Sequence, residues 1–109
     1  MIYIALVDDW EIRGNGTGDV KTLQYDPAIS LMNLYDEYGI KNTFYVETMQ
    51  GLSFREYSKK DKRVNKDFTF WKQSIEQMID RGHDIQLHIH PQFYKAQRIN
   101  HHWKINKRW

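Results

Sequence analysis

The 109-residue chain is long enough for one small domain, and 40% hydrophobic and 15% aromatic residues supply a core, which excludes a compositionally disordered segment. A formal charge of +2 is too small to argue for a nucleic-acid partner. Cysteine is absent, which excludes disulfides and thiolate ligands, so any bound metal sits on His, Asp, Glu and water.

The opening run Ile2 to Val7 is apolar on both faces and predicts a buried strand of a parallel sheet. It is too short to span a membrane and lacks the basic region and cleavage site of a signal peptide, so a cytoplasmic protein is expected. Asp8-Asp9-Trp10-Glu11 follows. Adjacent carboxylates at the carboxyl end of a buried strand are costly unless paired or metal-bound. That end is also where open α/β sheets and βα barrels place their ligands. Arg13 to Lys21 holds three alternating glycines, but no strand feeds them directly and no Gly-Lys-Ser/Thr follows. A flexible loop is expected there rather than a phosphate cradle.

Asp26-Pro27 opens a predicted helix, with Asp26 as N-cap and Pro27 at N1. Ile29, Leu31, Met32, Leu34, Tyr35 and Tyr38 give it a broad apolar stripe, and Gly39 closes it at C′. Asn42 to Glu47 is a second strand, rich in β-branched and aromatic residues. Strand, helix, strand predicts a parallel pair with a right-handed crossover. Thr48 to Lys66 is polar and unassigned. Its basic run, Lys59 to Lys66, reads as a solvated surface loop, with attraction of an anionic substrate such as a nucleotide-linked sugar as the functional alternative. Asp67 to Arg81 is a second predicted helix, capped by Asp67, buried through Trp71, Ile75, Met78 and Ile79, and ended by Gly82.

Gly82 to Gln92 then predicts a strand ending in two histidines. Ile85, Leu87 and Ile89 alternate with Gln86, His88 and His90, so both imidazoles share one face, and Pro91 ends the run. In the tail, Phe93 to Trp109, Trp103 and Ile105 alternate with Lys104 and Asn106, as in a short strand or hairpin arm. His101 and His102 are adjacent, so on a strand they point apart and make a poor metal tract.

The strand ends together bring Asp8, Asp9, His88 and His90 to the carboxyl edge of one parallel sheet. A carboxylate with two imidazoles is the composition of a catalytic zinc or non-haem iron site. A second carboxylate can act as general base on metal-bound water.

At these residues the sequence resembles the polysaccharide deacetylase family, the NodB-homology domain of carbohydrate esterase family four. Ile4-Ala5-Leu6-Val7-Asp8-Asp9 is similar to T-F-D-D-G. Tyr38 to Val46 is similar to the family's G-[IV]-x-x-T-F-F-V strand, and Arg81 to His88 to G-H-E-I-G-N-H. Leu87-His88-Ile89-His90-Pro91-Gln92 further resembles the L-H-x-H-P-Q-W of a bacterial branch tied to surface-polysaccharide biosynthesis. The resemblance implies Asp8 as catalytic base, Asp9 and His88 as metal ligands, and removal of an acetyl group from an N-acetyl sugar or polysaccharide. The family's second metal histidine falls at Gln92, so His90 takes its place, and Trp10 stands where the family has glycine. His83 matches a family histidine that is usually structural.

The expected fold is therefore α/β, a parallel βαβαβ arrangement forming the N-terminal portion of a distorted (β/α) barrel. Residues 1–92 would be a partial deacetylase domain and 93–109 a basic tail, possible further strand or hairpin of the same domain. Three strands cannot close a barrel. The expectation is thus the N-terminal half of a larger enzyme, a truncated frame, or a chain that assembles with a partner, a homo-oligomer included. The expected metal is a divalent cation, zinc first, held by Asp9, His88 and His90, with Asp8 as base. Two alternatives stand beside it: an amidohydrolase-type metal hydrolase, and an inactive fragment or binding module.

Overall fold

The computed structural model describes residues 1–12 and 18–106. Most of the glycine-rich loop read from Arg13 therefore lies outside the described residues.

Three parallel strands form the main sheet in the order of the chain: β1 (Val7–Trp10), β2 (Thr43–Glu47) and β3 (Asp84–His88). Val7 lies opposite Thr43 and Trp10 opposite Val46, while Thr43 lies opposite Asp84 and Glu47 opposite His88. The α/β class and the parallel pairing agree with the sequence. Among the described residues the sheet stops at three strands.

The first strand corrects the expected one. Met1, Ile2, Tyr3 and Ile4 are 83–104% exposed, and pairing begins at Val7. The partner sets this limit: β2 starts at Thr43, whose N–H donates to the carbonyl of Leu6 (3.1 Å), so residues further upstream have no strand to pair with. Asp8 and Asp9 consequently lie within the ladder, opposite Phe44 and Tyr45, and not at its carboxyl edge. That edge is Trp10 followed by Glu11.

The first helix, α1 (Asp26–Glu37), runs on from a π-helical turn at Lys21–Tyr25. Pro27 has no N–H and its ring would clash with the carbonyl of Leu23, and a widened turn just before it relieves both problems. Asp26 is thus inside the helical run and not its N-cap. Its carboxylate pairs with the Lys21 ammonium at 2.7 Å. Gly39 (φ +64°) and Gly82 (φ +74°) each follow a helix end in the left-handed conformation, as expected. The N–H of Ile40 reaches the carbonyl of Tyr35, and that of His83 the carbonyl of Met78, the six-to-one bond of a Schellman stop.

Between β2 and β3 the unassigned polar stretch is helical. A first helix, α2 (Thr48–Tyr57), begins directly at the end of β2. A second, α3 (Lys62–Asp80), starts five residues before its expected cap. Asp61 caps it, accepting from the N–H groups of Arg63 and Val64. Half of the basic run read as a loop is therefore the first turn of α3. Asp67, the expected cap, is a half-buried residue on its inner face. Val64, Ser74 and Met78 are buried, whereas Ile79, expected inside, is 59% exposed.

The tail forms a hairpin, β4 (Gln97–Ile99) with β5 (His102–Lys104). Asn100 and His101 both have positive φ, as a two-residue type I′ turn requires.

Two cores result. One lies between the sheet and the α1–α3 layer, where Trp10, Phe44 and Val46 meet Ala28, Met32 and Met78. Burying each large side chain there contributes roughly 1.5–3 kcal/mol. The other lies beyond the carboxyl edge of the sheet, where Ile12, Val20, Phe54 and Val64 meet Phe93 and Trp103. Trp103 packs its ring against Phe54 and Tyr57, so the hairpin is anchored to α2. The seam between the two cores is the carboxyl edge of the strands.

Candidate metal centre

Two histidines and one glutamate meet at that edge. β3 ends at His88, opposite Glu47. The chain stays extended through His90 (φ −108°, ψ 106°), and Pro91 then opens a 3-10 turn, Pro91–Phe93. Two positions apart on extended backbone, His88 and His90 share a face, and their ring centroids are 5.5 Å apart. Glu11, just past β1, comes to the same place. Its Oε2 lies 3.2 Å from His88 Nε2 and 4.0 Å from His90 Nε2.

Each of Glu11, His88 and His90 offers a ligand atom within 4.8 Å of the other two. The side chains are 24–30% exposed, sheltered yet open to a small ligand. Tetrahedral zinc with bonds of about 2.0–2.1 Å needs its ligand atoms about 3.3 Å apart, so the Glu11–His88 distance already suits it and His90 is slightly open. Two imidazoles and a carboxylate are also a donor set that such ions accept. The residues fit a divalent cation.

The sequence-predicted carboxylates are placed differently. Asp9 is exposed and stands outside this group. It shares the face of Glu11 by alternation but lies two residues back, about 6.6 Å along the strand. Asp8 faces the other way, on the side of Trp10, and is half-buried. It lines a cleft of about 190 Å³ together with Asp9, Glu11, Gln24, Pro27 and Leu31. Burial raises its carboxyl above the usual range, and the neighbouring charge of Asp9 adds to this.

Behind the histidines lies Glu47, a carboxylate with no exposed surface. It caps α2 by accepting from the N–H groups of Met49 and Gln50, and it also accepts from the N–H of His90 at 3.1 Å. Burial raises its pKa. The three N–H groups work against that rise, and the charge of Glu11 adds to it.

Sequence reasoning missed Glu11 and Glu47. Glu11 has a signal, because period-two alternation puts it on the face of Asp9, but the choice between them depends on the register in which β1 pairs with β2. Glu47 is the acceptor at a strand-to-helix junction, a cap signal obscured by the polar stretch that follows.

His83 is remote from the centre and structural. It is 7% exposed, packs between Tyr35 and Phe44, and its Nδ1 accepts from the N–H of Asn42 at 3.1 Å. Burial lowers its pKa, as does the nearby Lys41 charge, which keeps the ring neutral. His101 sits on the hairpin turn, 3.8 Å from Asp61, and does not join the centre.

Among the described residues no helix is long and apolar enough to cross a membrane. No family model, curated protein or solved structure matches this chain.

Proposed function

We propose that this chain carries the metal-binding site of a hydrolase that removes acetyl groups from N-acetylated sugars. The observation behind the reading is the meeting of Glu11, His88 and His90 at the carboxyl edge of a parallel sheet. The motif resemblance in the sequence supplies the substrate class. Glu11, His88 and His90 would hold a divalent cation, with zinc the first choice for this donor set. Such an ion, when bound, polarises the acetyl carbonyl and lowers the pKa of a bound water.

The protein's own groups have narrower tasks. His88 and His90 would bind through neutral imidazole. Glu11 supplies the anionic ligand. Asp8 keeps the role of base on the motif resemblance alone: it lines a cleft with Asp9 and Glu11, but its side chain leaves the opposite face of the sheet from Glu11. Asp9 is exposed and plays no part in ligation.

Equilibrium dialysis followed by elemental analysis tests the assignment. One zinc per chain is expected. Glu11→Gln, His88→Ala and His90→Ala should each lower zinc affinity at least tenfold, while Asp9→Ala leaves it unchanged. Acetate release from N-acetylglucosamine oligomers then tests the reaction. Absence of stoichiometric zinc would sink the reading and leave Glu11 and His88 as a hydrogen-bonded pair.

A further inference from the structure

Both segments that bring ligands to the centre, residues 11–12 and 88–90, are tied to the same turn of helix. The N–H of His90 donates to Glu47 Oε1 at 3.1 Å. The hydroxyl of Thr48 donates to the carbonyl of His88 at 3.2 Å. The N–H of Ile12, the residue after Glu11, donates to Gln50 Oε1 at 3.2 Å. Gln50 is itself fixed. Its backbone N–H donates to Glu47, and its side-chain amide exchanges two hydrogen bonds with that of Gln24 (2.5 and 3.2 Å). Glu47, Gln50 and Gln24 are all buried, at 0, 0 and 3% exposure.

Burial is what makes the arrangement informative. A carboxylate without exposed surface costs several kcal/mol unless hydrogen bonds compensate it. Capping α2 requires only an exposed Ser, Thr, Asp or Asn. Glu47 caps the helix and also reaches His90. Glu11 and His90 each lie past the last paired residue of their strand, Trp10 and His88, and the bonds from α2 hold the chain there.

We propose that the start of α2, through Glu47, Thr48 and Gln50, is a clamp that positions Glu11, His88 and His90 for cation binding. This rests on the reading of the centre as a metal site. The three are positioning residues, since none offers an atom to the cation. The clamp acts on backbone groups, so it sets where the ligand side chains start from and leaves their ring nitrogens and carboxylate oxygens for the ion. Outer groups that orient metal ligands are typically worth tenfold to a hundredfold in affinity, an order of about 1.4–2.7 kcal/mol.

Cobalt(II) titration of the full chain, read by its visible absorption, tests the clamp. Thr48→Val removes the hydroxyl with little change of shape. It should weaken cobalt binding severalfold and alter the band. Glu47→Gln and Gln50→Ala should each weaken it about tenfold or more. Ser74→Ala is the control, because Ser74 is buried on α3, which carries neither a ligand nor the clamp, and its hydroxyl donates to the carbonyl of Phe70 within that helix (3.0 Å). It should leave cobalt affinity and spectrum unchanged. The clamp is refuted if Thr48→Val binds like wild type with the same band, or if Ser74→Ala loses as much affinity. Failure of the wild-type chain to bind cobalt would instead remove the metal reading, and the clamp with it.

Discussion

Glu11 and Asp67 show how much a carboxylate's role depends on its address. Glu11 sits where strand pairing has ended, with two imidazoles in front of it. Asp67 sits on the inner face of α3. Burial pushes its carboxyl up to about 6, the charge of Asp19 adds to this, and Arg98, the Val20 N–H and Lys66 oppose it. An unfolded aspartate titrates near 3.9. Between that value and about 6 the folded chain holds a proton that the unfolded chain has lost, so stability falls as pH rises through the window. Asp67→Asn removes that loss. It should raise the unfolding free energy measured in urea at pH 7 by on the order of 1 kcal/mol, discounted for solvent screening of a half-buried group. Below about pH 4 the advantage should vanish.

At the scale of elements, α3 depends on a cap placed earlier than its apolar stripe announces. Asp61 accepts from the N–H groups of Arg63 (2.8 Å) and Val64 (3.4 Å) and also lies 3.5 Å from Arg98 on the hairpin. Asp61→Ala should cost about 1 kcal/mol in chemical denaturation, and Asp61→Asn should recover most of it. Asp67→Asn should behave oppositely, since Asp67 does not cap α3 and its burial disfavours the carboxylate. α2 has a different character. It is short, modestly amphipathic and joined to β2 without a loop, and its first turn is spent on the strand ends around it.

Across the whole molecule, stability and candidate chemistry are separated along the strand direction. One core fills the space between the sheet and its helices, the other lies past the carboxyl edge, and Trp71 packs against both. The centre occupies the seam. The opposite end of the chain contributes little: Met1 to Ile4 stand clear of both cores. Deleting these residues should change the unfolding free energy by no more than a surface substitution does, about 0.5 kcal/mol. A larger loss would show that the segment packs in solution.

The sequence by itself determined the elements whose signals are local. Gly39 and Gly82 marked two helix ends because only they relax at positive φ. The alternation of Gln86, His88 and His90 put both imidazoles on one face, and the spacing of strand and helix gave a parallel sheet. Trp103 alternating with its neighbours indicated the hairpin arm. The tertiary structure decided what depended on a partner. A strand's extent is set by the register in which it meets its neighbour, so β1 is Val7–Trp10 and not Ile2–Val7: Val7 lies opposite Thr43, the first residue of β2. That shift of a few residues exchanged Asp9 for Glu11 at the centre, because side chains advance about 3.3 Å per residue along a strand and ligand atoms must lie within a few ångströms. Glu47 was hidden for the same reason. Its value lies in reaching the N–H of His90, 43 residues away, and no local pattern encodes that contact.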